Sequence, residues 1–411
     1  MIELQAYLNA QTAAGIPFVS AAFADRNGII WAGTSGDTGL QQGRLKDIDT
    51  LLGIGSITKT FIALVILQLV QEERLSLDQT AVDILGTDAA GDVPAAAAAN
   101  IAQLLNHTSG VPSWEDDPLW IAAGRGAHQT PGRIWKKDDV LSFVKDAPPN
   151  NAPGESYSYS NTNYTLLGLI IEKIVDRDLH AEVRERILRP IGSTDMYFEG
   201  FEPVPRHRLA RRYHYVTEEF EEKAGIHGSF TVIRTPEGAT PGLIDVSRSN
   251  LSVEWAAGGM VATASELAHF AASCRAGLFL NHDLMNTLAD WIPVDQRLEV
   301  GRGLFRRTLE DGRRLVGHTG GVQGYSASVH WLEKQDLSIA VLANVGTMHT
   351  GEKLANATTL AFNCDFIDAA SAYAKTTRQI IGRTTGRVRK RLLERFSTDL
   401  NREGIPSWRD F

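Results

Sequence analysis

Gly53-Ile54-Gly55-Ser56-Ile57-Thr58-Lys59-Thr60-Phe61 leads into an apolar run from Phe61 to Val70. The run is too short to span a bilayer, and Gln68 interrupts it. It ends in Gln71-Glu72-Glu73-Arg74, so residues 56–73 read as a buried helix that emerges at the surface. Ser56 and Lys59, three apart on such a helix, share a face. A serine hydroxyl attacks well only when a base takes its proton. A buried lysine, its pKa lowered by desolvation, can be that base. Gly53 and Gly55 allow a close approach of backbone to a ligand, and a helix N-terminus brings free amides beside the serine. The same serine could instead cap the helix, and Ser-x-x-Lys alone does not choose between the two.

The 411 residues are 43% hydrophobic and 22% charged, an ordinary globular composition with room for two or three lobes. A net charge of -8 gives no general attraction to nucleic acid. Two cysteines, Cys274 and Cys364, indicate no disulfide framework. Met1-Ile2-Glu3-Leu4-Gln5 has no basic region followed by an apolar stretch, so a cytoplasmic protein without a membrane partner is expected. No Gly-x-Ser-x-Gly elbow, phosphate-binding glycine loop, His-Glu-x-x-His or Cys-x-x-Cys is present, so neither a metal nor a cofactor is expected.

Phe18 to Ala24 and Ile29 to Ala32 read as strands joined by a hairpin at Asp25-Arg26-Asn27-Gly28. Asp88 to Ala99 reads as an alanine-rich loop. Asn100-Ile101-Ala102-Gln103 is a capping box for a short helix that Gly110 is suited to cap. His107, in Asn106-His107-Thr108-Ser109, reads as a residue tying its loop down rather than as a base. Trp114, Trp120 and Trp135 either wall a substrate pocket or pack a loop-rich lobe. Tyr159-Ser160-Asn161 precedes an apolar helix from Tyr164 to Ile174, and Leu179 to Leu188 forms another, stopped at Pro190. Residues 200–255 read as irregular, with a solvated acidic cluster from Glu218 to Glu222. Thr263-Ala264-Ser265-Glu266 is a second capping box. Arg313 to Val316, Tyr325 to Trp331 and Leu337 to Ala343 read as strands with short connections, hence antiparallel. The expected fold is α/β in the α+β sense: an antiparallel sheet from N- and C-terminal segments, flanked by helices, with a mostly helical lobe inserted. Lys375 to Phe411 is arginine-rich, with Leu392, Phe396 and Leu400 at helical spacing. It reads as a surface helix, or as an arm for the body or a second subunit.

Three motifs stand in one order: Ser56-x-x-Lys59, Tyr159-Ser160-Asn161, and His318-Thr319-Gly320-Gly321 just ahead of a strand. Together with Leu104 to Gly110, Arg186 to Asp195 and Gly258-Gly259, they resemble the serine β-lactamase and penicillin-binding-protein superfamily. The nearest branch holds class C β-lactamases, their DD-peptidase relatives and the family VIII esterases. The likeness implies a β-lactamase/transpeptidase-like catalytic domain over residues 1–365, with a sheet lobe (about 1–60 and 255–365) and a helical lobe (about 61–254). A basic extension, 366–411, would follow. It also implies that Ser56 forms an acyl-enzyme, and that Lys59 accepts its proton or holds Tyr159 as the base. Tyr159 would serve the leaving group, Asn161 would bind a substrate amide or orient Lys59, and His318, Thr319, Gly320 and Gly321 would bind substrate. The backbone amides of Ser56 and Gly321 would form an oxyanion hole. Read singly, Tyr159 could be a buried aromatic, Asn161 a helix cap and His318-Thr319-Gly320 a polar turn.

Many members of the superfamily carry lysine at the place of His318. Histidine occurs there in DD-peptidase-like, D-aminopeptidase-like and some esterase branches. A group with an ordinary pKa of about 6.5 is not a permanent cation, which weakens recognition of a substrate carboxylate. The expected activity is therefore cleavage of a small ester, amide or short peptide. Alternatives are a D-Ala-D-Ala carboxypeptidase or D-aminopeptidase, a β-lactamase, an acyltransferase and a non-catalytic binding relative. The pocket walls are expected from residues 111–150 and 200–255.

Overall fold

The computed structural model of the chain describes residues 2–39, 48–87, 93–226, 232–233 and 241–383. Its centre is an eight-stranded antiparallel sheet. Strands β1 (Phe18–Asp25) and β2 (Gly28–Gly36) come from the start of the chain. Strands β3 (Ile292–Pro293), β4 (Leu298–Val300), β5 (Phe305–Thr308), β6 (Arg314–Val322), β7 (Tyr325–Leu332) and β8 (Ser338–Ala343) come from its later part. The order across the sheet is β2-β1-β8-β7-β6-β5-β4-β3. The hairpin and the joining of the two ends of the chain are as the residue pattern predicts. The junction is the β1–β8 pair, with Ala22 opposite Ala340.

All eight residues of β1 are buried, because both faces of the sheet are covered and side chains alternate between them. Phe18, Ala22 and Ala24 join one core, in which helix α4 (Ala264–Arg275) crosses β1 and β8. Val19, Ala21 and Phe23 join the other, under helices α1 (Ile2–Ala13) and α5 (Cys364–Arg383). There Phe23 stacks on Trp31 and meets Phe366. Helix α5 supplies Phe366, Ile367, Ala370 and Ala374 to this core, so the expected boundary at 366 falls in its first turn. Leu392, Phe396 and Leu400 lie outside the described residues, as do residues 88–92 of the alanine-rich stretch.

Helix α2 (Thr58–Gln71) runs through the larger core and is buried on nearly every side, as expected of a helix apolar all round. A 3-10 turn, Gly55–Ile57, precedes it, so the α-helix begins two residues later than the expected Ser56. Leu52–Gly53 pairs with Met260–Ala262, which also pairs with Met196–Phe198. This small sheet fixes the chain just ahead of the turn. Helix α3 (Asn161–Val175) packs beside α2.

Several local expectations give way to packing. Residues 200–255 are not irregular: Tyr213–Val216 and Gly242–Asp245 lie in a four-stranded sheet with Val345–Gly346 and Val232–Ile233. The acidic cluster is a helix, Glu218–Ala224, capped by Thr217. Glu218, Glu219 and Glu221 sit in its first turn, where the helix dipole favours them. The helix over Leu179–Leu188 ends ahead of Pro190 as expected, though it is α-helical only to Val183 and π-helical from Arg184; a separate 3-10 turn, Arg189–Ile191, holds the proline and ends at left-handed Gly192. The Asn100/Gln103 capping box forms in full. The second box forms by half: Thr263 accepts from the Glu266 amide, while the Glu266 carboxylate turns to the Thr194 amide. The 101–105 helix ends at Asn106, and the residue after that cap is His107, at a left-handed φ of 60°; Gly110, also left-handed at φ 71°, lies further along the loop.

Candidate active site

Ser56 lies in the 3-10 turn, and the turn's shape brings it against β6. Gly55 takes φ +52°, a left-handed value that glycine accepts without strain. Gly320 lies so close that a Cβ there would sit 1.9 Å from the Ile54 carbonyl oxygen. Strand β6 pairs with β7 from Leu315 to Val322, whereas β5 covers it only as far as Gly317. The His318–Gly321 stretch is thus left free on one edge to meet the turn. This corrects the expectation of a motif ahead of a strand: the four residues lie inside β6. Two glycines there read as a turn by propensity, but close packing requires them.

Lys59, on the first turn of α2, is wholly buried. Its Nζ lies 3.0 Å from Ser56 Oγ, 2.7 Å from Asn161 Oδ1 and 2.5 Å from the Ala257 carbonyl oxygen. Burial lowers its pKa to about 7, against the pull of the Glu115 and Glu254 carboxylates. Asn161 does not cap α3. Ser160 holds the N-cap position, and the Asn161 side chain bridges Lys59 and Glu115, with Nδ2 2.5 Å from Glu115 Oε2. Because a carboxylate only accepts, this bond fixes the Asn161 amide with its oxygen toward Lys59.

The Tyr159 hydroxyl reaches Ser56 Oγ at 2.8 Å. Burial holds this phenol far above its ordinary range, so it stays protonated. His107 lies beneath it, ring centroids 4.3 Å apart, and its Nδ1 accepts from the Ser160 amide. The expectation that His107 ties its loop down therefore holds, and burial keeps the ring neutral.

A cavity of about 280 Å³ opens at Ser56, Tyr159, His318, Thr319 and Gly321. Burial lowers the His318 pKa to about 3, with Lys59 adding to the effect, so the ring is neutral. Its Nδ1 faces the Thr319 carbonyl and carries the proton, leaving Nε2 as an acceptor without a partner among the described residues. The structure thus places Ser56, Tyr159, His318, Thr319 and Gly321 on the cavity, with Lys59 and Asn161 buried behind Ser56 and Gly320 packed on the turn.

The cavity walls differ from expectation. They are Tyr157, Leu298, Phe305, Arg307, His330, Met348 and Phe362, with Glu115 the sole contribution among the described residues of 111–150 and 200–255. Trp114, Trp120 and Trp135 are packed in the core, which decides the open choice about them in favour of packing. Glu115, Arg125 and Glu254 also went unread. Arg125 Nη2 donates to Glu115 Oε1 at 2.7 Å and to Glu254 Oε1 at 3.0 Å. No spacing in the sequence links these residues; Arg125 and Glu254 each stand as a charge among mostly uncharged neighbours, whereas Glu115 adjoins Asp116 and Asp117 and gives no such signal.

A sequence profile of the family described as Beta-lactamase matches residues 4–362. A putative D-alanyl-D-alanine carboxypeptidase of Escherichia coli O157:H7 is 27% identical over 216 residues, 49% of this chain and 48% of that protein. Esterase EstB of Burkholderia gladioli is 30% identical over 207 residues, 47% of this chain and 50% of the esterase. The matched stretches thus span about half the length of these relatives. Among solved structures, a D-stereospecific amidohydrolase from Streptomyces sp. superposes with a TM-score of 0.69 at 28% identity. That match covers 84% of this chain and 94% of the amidohydrolase.

Proposed function

The chain belongs to the beta-lactamase family, and on that premise we propose that it is a serine hydrolase cleaving a small ester or amide through an acyl-enzyme on Ser56. The observation that carries this reading is the position of Ser56 Oγ between Lys59 Nζ at 3.0 Å and the Tyr159 hydroxyl at 2.8 Å. A neutral Lys59 has two N–H groups and one lone pair. Asn161 Oδ1 and the Ala257 carbonyl can only accept, so they take the two hydrogens. The lone pair is left for the Ser56 proton, which makes Lys59 the base. Tyr159, held protonated by burial, is the acid.

In the first half-reaction Ser56 Oγ bonds to the substrate carbonyl carbon as its proton passes to Lys59. Tyr159 gives its proton to the departing oxygen or nitrogen, and the Lys59 proton then returns to the phenolate. In the second half-reaction water attacks the acyl carbon, and the acid product and Ser56 are released. The Ser56 and Gly321 amides face the developing oxyanion, and such a donor contributes about 3–4 kcal/mol. The cavity, about 280 Å³, lies at the small end of ligand sites, which run from roughly 300 to 1,000 Å³. This favours a short acyl group. Cleavage of a D-amino-acid amide or peptide is a narrower second reading, supported by the 28% identical D-stereospecific amidohydrolase and tested by comparing D- and L-amino-acid amides.

Because Lys59 must be deprotonated to act, kcat/KM should rise with pH through about 7, the value to which burial brings it. A fluorophosphonate probe should label Ser56, and p-nitrophenyl acetate should be turned over. Ser56→Ala should abolish labelling and lower turnover by at least about 10⁴-fold with an unchanged circular dichroism spectrum. Labelling at another serine, or turnover surviving the substitution, would overturn the reading.

A further inference from the structure

Both acceptors that hold Lys59 lead back to one buried arginine. The first path runs from Lys59 Nζ to Asn161 Oδ1, from Asn161 Nδ2 to Glu115 Oε2, and from Glu115 Oε1 to Arg125 Nη2. The second runs from Lys59 Nζ to the Ala257 carbonyl, then three residues back along the chain to Glu254. Its Oε1 meets the same Arg125 Nη2. The chain between Glu254 and Ala257 is tightly set: the Ala257 amide donates to the Glu254 carbonyl at 2.8 Å, and Trp255 between them takes φ 35°. A tryptophan at positive φ persists only where its surroundings over-determine it. Arg125 is itself 1% exposed, lies 4.9 Å from the Trp120 ring, and accepts through its carbonyl from Gln323 Nε2 at 2.9 Å.

We infer that Arg125 is a positioning residue for this hydrolase: through Glu115 and Glu254 it aims both Lys59 acceptors, and it does so from outside the substrate cavity. The inference rests on Lys59 acting as the base. Burial raises the Glu115 pKa and brings that of Glu254 to about 7, while Arg125 pulls both down; ionised, the two carboxylates would hold a neighbouring base protonated unless a cation offset them. Arg125 offsets their charge, so the Lys59 lone pair stays available for Ser56. The other groups facing Lys59 are the neutral rings of His107 and His318 and the phenols of Tyr159 and Tyr164. Asp116 adds to the field at Glu115, and His214 and His349 feel Arg125. None of these can replace the charge of Arg125.

The test is the pH profile of kcat/KM for p-nitrophenyl acetate in Arg125→Gln and Glu254→Gln, with Arg125→Lys as the conservative variant. Loss of the guanidinium should move the acid limb to higher pH, by at least half a unit. It should lower kcat at pH 7 about tenfold or more, with KM within threefold. Glu254→Gln, close to isosteric, should move the limb to lower pH, and Arg125→Lys should recover part of the loss. Opposite displacements cannot arise from general loosening of the fold. Limbs that stay put, or that move the same way, overturn the inference. If Arg125→Gln does not fold, the Glu254→Gln limb decides alone. A wild-type protein whose Ser56 takes no fluorophosphonate label overturns the functional reading, and this inference with it.

Discussion

At neutral pH the His318 ring adds no charge to the cavity wall, because burial brings its pKa to about 3. Arg307, on β5, supplies a cation to the same wall. It makes no ion pair among the described residues, and its guanidinium lies 5.1 Å from the Phe362 ring. A guanidinium resting on an aromatic face keeps its planar fork of donors free for a carboxylate. Charge-assisted hydrogen bonds of this kind contribute about 1.5–3 kcal/mol. An ester whose acyl chain ends in a carboxylate should therefore be favoured over an uncharged one of similar length. In Arg307→Gln, the ratio of kcat/KM for p-nitrophenyl hemisuccinate to that for p-nitrophenyl butyrate should fall about tenfold. A ratio that does not change removes Arg307 from substrate choice. The imidazole at 318 could be seen in the sequence, but its charge could not. An ordinary pKa of about 6.5 is a solution value, and the burial that displaces it arises from Phe305 and the sheet, which only the folded chain assembles.

Elements place the site through one close approach, that of β6 to the turn ahead of α2. The Gly320 position has no room for a side chain, since a Cβ would overlap the Ile54 carbonyl. Gly320→Ala should drive strand and turn apart and displace the Ser56 and Gly321 amides from their common target. We expect kcat to fall by about 10²–10³-fold, the usual consequence of losing one oxyanion donor, with fluorophosphonate labelling slowed in parallel. Retention of full activity would mean that β6 and the turn are not rigidly joined. The longer elements were legible beforehand: the β1–β2 hairpin, α2, α3 and the strands around 325 and 338 all carry clear periodicity or turn residues. The strands at Tyr213–Val216 and Gly242–Asp245 have four residues each, too few for alternation to stand out. Pro190 was a readable stop for the 179–188 helix, while the π-helical winding of Arg184–Leu188 had no residue signal.

On the scale of the whole molecule, the candidate site draws on residues 55–59, 159–161 and 318–321, held by a sheet whose strands come from both ends of the sequence. Cooperative unfolding should therefore abolish activity and change tryptophan fluorescence together. Guanidinium midpoints by the two measures should coincide; an earlier loss of activity would show that the helical part separates from the sheet before either melts. The order of the three motifs in the sequence was enough to foresee their convergence. The Glu115–Arg125–Glu254 cluster was not foreseeable, because Arg125 and Glu254 lie 129 positions apart and share no pattern. The β1–β8 pairing also bears on how the protein is made. The opening hairpin leaves the ribosome about 300 residues before its partner strand is translated, which at ~5–20 residues per second is a wait of roughly 15–60 s. Throughout that interval the edge of β1, rich in phenylalanine, valine and alanine, lacks the strand that pairs with it in the folded chain. Of the described elements that cover this strand in the folded chain, α1, which gives Leu4 and Leu8 to the same core, is the one made before it.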